Sequence, residues 1–283
     1  MKFIKYFFLI MIFVYVSYSK EDVLRPRGSQ FEDSDFKRYI TLGLETGLNY
    51  NMFNQNMSWN PNYLHGTIFD PLTSASGISP HIGAMIDVPL DNTFGIQLRL
   101  AYDIKNFGQS STGYDYDILA NTHNMNLDVD VTSAYFTITP LLRINAIDKL
   151  FFTIGPTIHS IVGPIQTTWK PEVADGTPLN NFAYFNYLGF GTASRGSVTL
   201  STDDIGSIET PNTPRIGLEG GVGYKFNLSE RIFLVPQLRV QLMLTPITNN
   251  TALVDIINQE TVLQTTDRML SSIQLALAVW FEL

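Results

Sequence analysis

Eight stretches of this chain alternate apolar with polar residues, and the links between them alternate short with long. Strand side chains point to opposite faces with a period of two, so each stretch codes a strand with one apolar and one polar face. Residues 40–52 show the pattern. Ile40, Leu42, Leu44, Thr46, Leu48, Tyr50 and Met52 fall on one face; Thr41, Gly43, Glu45, Gly47, Asn49 and Asn51 fall on the other. A barrel that crosses a bilayer turns its apolar set to lipid and its polar set to the lumen.

The other stretches are 78–88, 94–104, 134–144, 152–162, 216–226, 232–244 and 273–281. Most have about eleven residues, close to the 9–11 that a tilted strand needs to cross a bilayer. The links 89–93, 145–149 and 227–231 are tight, with Asn, Asp and Ser turn chemistry. The links 53–77, 106–133, 163–215 and 245–272 are long. Short periplasmic turns and long extracellular loops are the outer-membrane arrangement. The pattern predicts an all-β, eight-stranded antiparallel up-and-down transmembrane β-barrel.

A soluble lipocalin-like barrel or a sandwich would put its charges outside. Here glycine and charge share the inner face, and aromatics recur near strand ends on the apolar face at Tyr50, Phe94, Tyr102, Phe152, Tyr224, Phe226 and Phe281. Such rings form interfacial girdles. A tenth strand within 163–215 is disfavoured, because 197–201 is short and polar. Leu127, Val129 and Val131 have the opposite parity to the apolar residues of 134–144, which predicts a β-bulge near Thr132 and Ser133.

Lys2 and Lys5, an apolar run over 6–16 and the small residues Ser17 and Ser19 read as a signal peptide, residues 1–19. Residues 20–38 are charged, without an apolar period, and read as a periplasmic leader. The barrel domain is then 39–283, in the outer membrane of a Gram-negative bacterium. The chain has no cysteine, which excludes disulfides and thiolate metal sites. Its net charge of −8 argues against nucleic acid, whose binding runs on Lys and Arg contacts to phosphate.

Tyr135-x-x-x-x-Pro140-Leu141-Leu142, Phe152-x-x-Gly155-Pro156, Gly220-Gly221-x-Gly223-Tyr224 and Gln237-x-Arg239 resemble the PorT-like outer-membrane β-barrel family of Bacteroidetes-type bacteria, and the chain is also similar to the barrel half of OmpA. The resemblance spans about residues 40–283. It implies an outer-membrane location and varied roles, some in secretion.

The inward charges Glu45, Asp87, Arg99, Asp103, Arg215, Glu219, Lys225 and Arg239 are expected to form an interior network that plugs a lumen just wide enough for side chains. A hairpin closing around 227–231 would set Glu219 opposite Arg239, where opposed charges interact directly. His81 and His159 also face inward, but Ser160 has the opposite parity to His159, so no catalytic dyad is expected. Asp115, Asp117, Asp128 and Asp130 lack the glycine and closing glutamate of a calcium loop. No zincin, nucleotide-cradling or nucleophile-elbow motif is present. No cofactor or metal is therefore expected.

The long link 163–215 carries Trp169, Phe182, Tyr184, Phe185 and Tyr187, a candidate partner-contact loop lying above strands five and six. The reading is a non-enzymatic surface-interaction protein whose partners are membrane lipid, the barrel assembly machinery and an unknown extracellular or secretion partner. A small-solute channel or a secretion accessory is the alternative, and an outer-membrane hydrolase the least favoured.

Overall fold

The computed structural model describes residues 39–59, 68–69, 73–147, 149–182, 185–186, 189–201, 211–248, 251–254 and 261–283. The signal-peptide and leader segments, Tyr184 and Tyr187 lie outside the described residues. Eight strands hydrogen-bond in a closed antiparallel ring: β1 (Thr41–Trp59), β2 (Ser74–Pro89), β3 (Phe94–Tyr116), β4 (Thr122–Asn145), β5 (Leu150–Ile161), β6 (Arg215–Tyr224), β7 (Ile232–Met243) and β8 (Thr261–Glu282). β8 returns to pair with β1, with Thr41 opposite Glu282, so the ring has no open edge. Closure matters because hydrocarbon supplies no partner for an unpaired backbone group.

Among the described residues, five shorter strands attach around this ring: Ile68–Phe69 on β3, Gln166–Val173 on β4, Val198–Ser201 on Gln166–Val173, Phe226–Asn227 on β7 and Thr251–Val254 on β8. Residues 163–215 therefore build mainly onto the upper half of β4, not above β5 and β6. The low walls of β5, β6 and β7 leave that side without strands to extend, whereas β4 above Tyr135 rises past the top of β5 and can pair with Gln166–Val173.

At the level of the apolar belt the alternation works as the sequence requires. Leu44, Ile82, Leu98, Leu218 and Leu275 are exposed, while Glu45, Arg99, Glu219 and Gln274 on the opposite face are buried. Toward the long-loop end, β3 and β4 continue far beyond the belt. They stay in one unbroken register from Phe94 opposite Ile144 to Tyr116 opposite Thr122. There is no bulge at Thr132 and Ser133. Met125, Leu127 and Val129 point inward like Tyr135 and Thr137 and are buried, while Asn124, Asn126 and Asp128 are exposed. The backbone keeps its parity, and the hydrophobic pattern changes face. Inside the belt the solvent is hydrocarbon; beyond it the solvent is water, and the wall packs as a soluble sheet does.

The lumen is therefore layered. Met85, Phe151, Val235, Ala278 and Trp280 fill the short-turn end, with the Phe151 and Trp280 rings 5.2 Å apart. Polar and charged side chains occupy the middle. Phe53, Phe107, Ile165, Ile247 and Leu270 close the loop end, with Phe53 and Phe107 stacked at 4.6 Å.

The β2–β3 ladder lapses between Ser76–Gly108 and His81–Asp103, where Pro80 lacks an N–H. Side chains replace it. Asn51 donates to the Asn106 carbonyl at 2.9 Å and to the Ser79 hydroxyl at 2.8 Å, and that hydroxyl donates to the Ile104 carbonyl.

Candidate functional site

Two places concentrate chemistry: the middle of the lumen and the wall above the belt. In the lumen, Arg239 on β7 donates to Glu45 on β1 with both terminal nitrogens, Nη1 to Oε1 at 2.8 Å. To get there it passes over β8, whose inward Ala276 and Ala278 are small. Gly47 helps: a side chain there would collide with the Leu275 carbonyl and the His81 ring. Arg99 on β3 forms a two-pronged pair with Glu219 on β6, across the lumen, while its Nε stands 3.6 Å from Glu45. Arg99 thus lies between carboxylates from opposite walls. Two-pronged Arg–carboxylate pairs are the strong, directional kind.

The expected Glu219–Arg239 contact does not form. The β6–β7 hairpin closes one residue further on, with Leu228 N–H donating to the Ile232 carbonyl at 2.9 Å and Phe226 kept in the ladder. Glu219 consequently faces Gln241, and Arg239 faces Gly221. Inward parity survives, because each strand still presents the same face. Gln241 donates to Glu219 at 3.0 Å.

The other inward charges have separate settings. Asp103 accepts from Thr137 at 2.8 Å and from Gln274 at 3.3 Å. Asp87 pairs with Arg143 at 2.9 Å near the short turns. Lys225 is only half-buried and holds its ammonium 5.3 Å from the Trp280 ring centre. Arg215 donates to the Thr245 carbonyl at 3.2 Å and lies 5.5 Å from the Tyr135 ring. Two buried lumen charges were missed in the sequence. Arg143 and Lys105 both have inward parity; Lys105 donates to Gln241 and Ser272, each at 3.0 Å. Extending the alternation of 94–104 by one residue finds Lys105.

His159 has Thr157 Oγ1 3.0 Å from Nε2 and Thr137 Oγ1 3.4 Å from Nδ1. Ser160 is exposed on the outer face. His81 lies 3.9 Å from Glu45. A lumen so filled, with Glu45, Arg99, Glu219 and Arg239 paired and apolar layers at both ends, can resist collapse.

Beyond the belt, the link after β5 folds around its own small core of Met125, Val173, Leu179, Phe182, Phe185 and Phe190. Phe182 and Phe185 are buried, at 0% and 2% exposure, so they hold the loop together and do not form a contact face. Trp169 is half-buried. What the wall does present is its tip, where Ile118 and Leu119 are 71% and 77% exposed.

That tip is fastened from below. Asp117 accepts from the Leu119 and Asn121 N–H groups at 2.9 and 2.8 Å. His123 bridges it to the loop, with Nε2 3.3 Å from Asp117 and Nδ1 2.6 Å from Asp175. The Asp175 hydrogen bond raises the His123 pKa, and Asp117 adds to the effect. Hydrogen bonds from His123 and Thr177 pull Asp175 down to about 2. The Asn121 side chain and N–H lead the same shift in Asp117, also to about 2. Asp115 is buried, while Asp128 and Asp130 lie on the outer face, so the four aspartates do not converge.

A family model described as "Outer membrane protein beta-barrel domain" matches residues 28–249. The chain belongs to that family. Family membership places this barrel in the outer membrane and makes its exposed apolar belt a lipid-facing surface. Among solved structures it is similar to neisserial surface protein A, at 10% identity and a TM-score of 0.31, covering 86% of this chain and 97% of that one. OprG from Pseudomonas aeruginosa gives 10% identity, a TM-score of 0.33 and the same two coverages. The outer membrane protease OmpT from Escherichia coli gives 7%, 0.33, 88% and 99%. No curated protein sequence matches the chain.

Proposed function

We propose that this outer-membrane barrel is a non-enzymatic surface-interaction protein, with its short turns in the periplasm and its tall β3–β4 wall outside the cell. The carrying observation is the division of labour between its two halves. The lumen spends its polar side chains on one another, through Glu45, Arg99, Glu219 and Arg239, whereas the wall above the belt has a core of its own. A strand pair that only had to cross the membrane would stop near Ile104 and Ala134. β3 and β4 continue for several more rows, which is material placed where a partner can meet it.

The PorT-like likeness supports a narrower reading beside secretion machinery, but Tyr135 and Arg239, which carry part of it, are lumen residues. They bear on how the barrel is filled and not on what it touches.

Two measurements test the proposal. Purified protein in planar bilayers should show no steady conductance; a stable open pore would favour the channel reading. Replacing residues 164–214 by a short Gly/Ser turn should leave a folded, heat-modifiable barrel that no longer crosslinks to its partner on intact cells. A shortened protein with an unchanged crosslinking pattern would sink the assignment.

A further inference from the structure

The outer face of the wall carries a trench at a telling height. One row of paired residues runs Ser76–Gly108–Asp130–Thr168 across four strands, and the next row up is Ser110–Asp128–Lys170. The outer-face rows below are Asn106–Thr132, then Ile104–Ala134 and Tyr102–Phe136, the last two forming the upper rim of the apolar belt. Here the lapse in the β2–β3 ladder and the bare backbone of Gly108 leave a groove of 320 Å³, floored by Gly77 and Gly108 and walled by Asn106, Ser110, Asp130 and Lys170. A second groove of 380 Å³ shares Ser76 and Gly108 and extends over Met52 and Asn54. The two form one trench.

Its chemistry is specific. Hydroxyls from Ser76 and Ser110 and the Asn106 amide alternate with carboxylates, and Lys170 Nζ stands 2.6 Å from Asp130. Two carboxylates against one ammonium repel a phosphate-bearing headgroup. The same groups match the hydroxyls of an uncharged sugar ring, each of which donates and accepts. A ligand seated here that extends downward crosses the single row Asn106–Thr132 and then meets Ile104, Ala134, Tyr102 and Phe136 of the lipid-facing surface.

We propose that this trench holds the uncharged sugar headgroup of a glycolipid in the outer leaflet, with the acyl chains running down over Ile104 and Phe136. The leaflet assignment rests on the orientation given under Proposed function; the site itself does not. The test uses the full chain folded in phosphatidylcholine vesicles doped with diglucosyl diacylglycerol or, separately, phosphatidylglycerol, with retained lipid read by native mass spectrometry. The wild type should retain the glycolipid roughly ten-fold over phosphatidylglycerol, a difference of about 1.4 kcal/mol. Ser110→Tyr, which fills the groove, and Asp130→Ala, which removes its central acceptor, should each abolish that preference without changing heat-modifiable mobility. Equal retention of both lipids overturns the proposal, as does a preference that survives in a folded variant. Full displacement by free disaccharide also overturns it, because the site would then not need the lipid. Orientation is read separately: Thr199→Cys, the sole thiol, should react with an impermeant maleimide on intact cells. Failure there with lipid preference intact would reverse the leaflet and leave the trench.

Discussion

Arg239 Nη1 lies 2.8 Å from Glu45 Oε1, although β8 separates the two strands that carry them. The pair closes the ring from inside at the seam where the first and last strands meet. Removing Glu45 leaves the enclosed Arg239 with the Gln237 and Gln274 amides but no carboxylate, which costs about 3–5 kcal/mol, whereas removing both partners costs much less. A double-mutant cycle with Glu45→Gln and Arg239→Gln, followed by unfolding in liposomes, should show strong coupling. The same cycle for Glu219 and Arg239 should show less. Equal coupling in the two cycles would contradict the register found here.

Ile138→Arg should impair assembly, because an Arg on the lipid face at mid-depth costs about 2–4 kcal/mol. Asn126→Arg stands on the same face of the same strand but above the belt, and should be tolerated. Membrane fractionation and heat-modifiable gel mobility report both. Equal damage from the two would move the upper rim of the belt.

The His123 clamp should depend on pH in a definite direction. Its folded pKa is raised, so its contribution is complete below the ordinary value of about 6.5 and fades as pH rises through the folded value. Asp117 and Asp175 are lowered to about 2. Their contribution is present above the ordinary value of about 3.9 and fades as pH falls toward 2. Protection of residues 175–182 against hydrogen exchange, corrected for intrinsic rates, should therefore be greater at about pH 5 than at about pH 9. His123→Ala should remove that difference; a variant that keeps it would show that the clamp is not the cause.

Phe182→Ala should open the loop without opening the barrel. Deleting a buried Phe side chain costs about 3–5 kcal/mol, and this loss falls on the small core around Met125 and Leu179. Limited proteolysis should cut within 163–214 while heat-modifiable mobility stays normal. Loss of the folded barrel would mean that the wall and the ring fold as one unit.

The membrane half of this protein was legible in its sequence because one rule, apolar out and polar in, holds from Phe94 to Ile104 and from Ala134 to Ile144. The wall was not, because Leu127 and Val129 obey the opposite rule on an unbroken strand. A reader who keeps the solvent fixed sees a bulge where the solvent itself has changed. Which side chains are enclosed followed from parity, so Glu45, Arg99, Glu219 and Arg239 could be named. Their partners could not. Register arithmetic ranks neighbours on adjacent strands, whereas Arg99 reaches Glu219 across the lumen and Arg239 reaches Glu45 over a small-residue gap in β8.

The change of face on β4 also sets how deep the molecule floats. Sinking by one row would draw Asn106 and Thr132 into hydrocarbon, and by two rows Asp130 as well. Rising by the same step would lift Ile104 and Ala134, then Tyr102 and Phe136, into water. Both displacements cost free energy, so the rim at Thr132 and Ser133 acts as a waterline with a restoring force on either side. A bilayer of different thickness must bend to meet this barrel at its loop end, and the mismatch is passed on to the short-turn end.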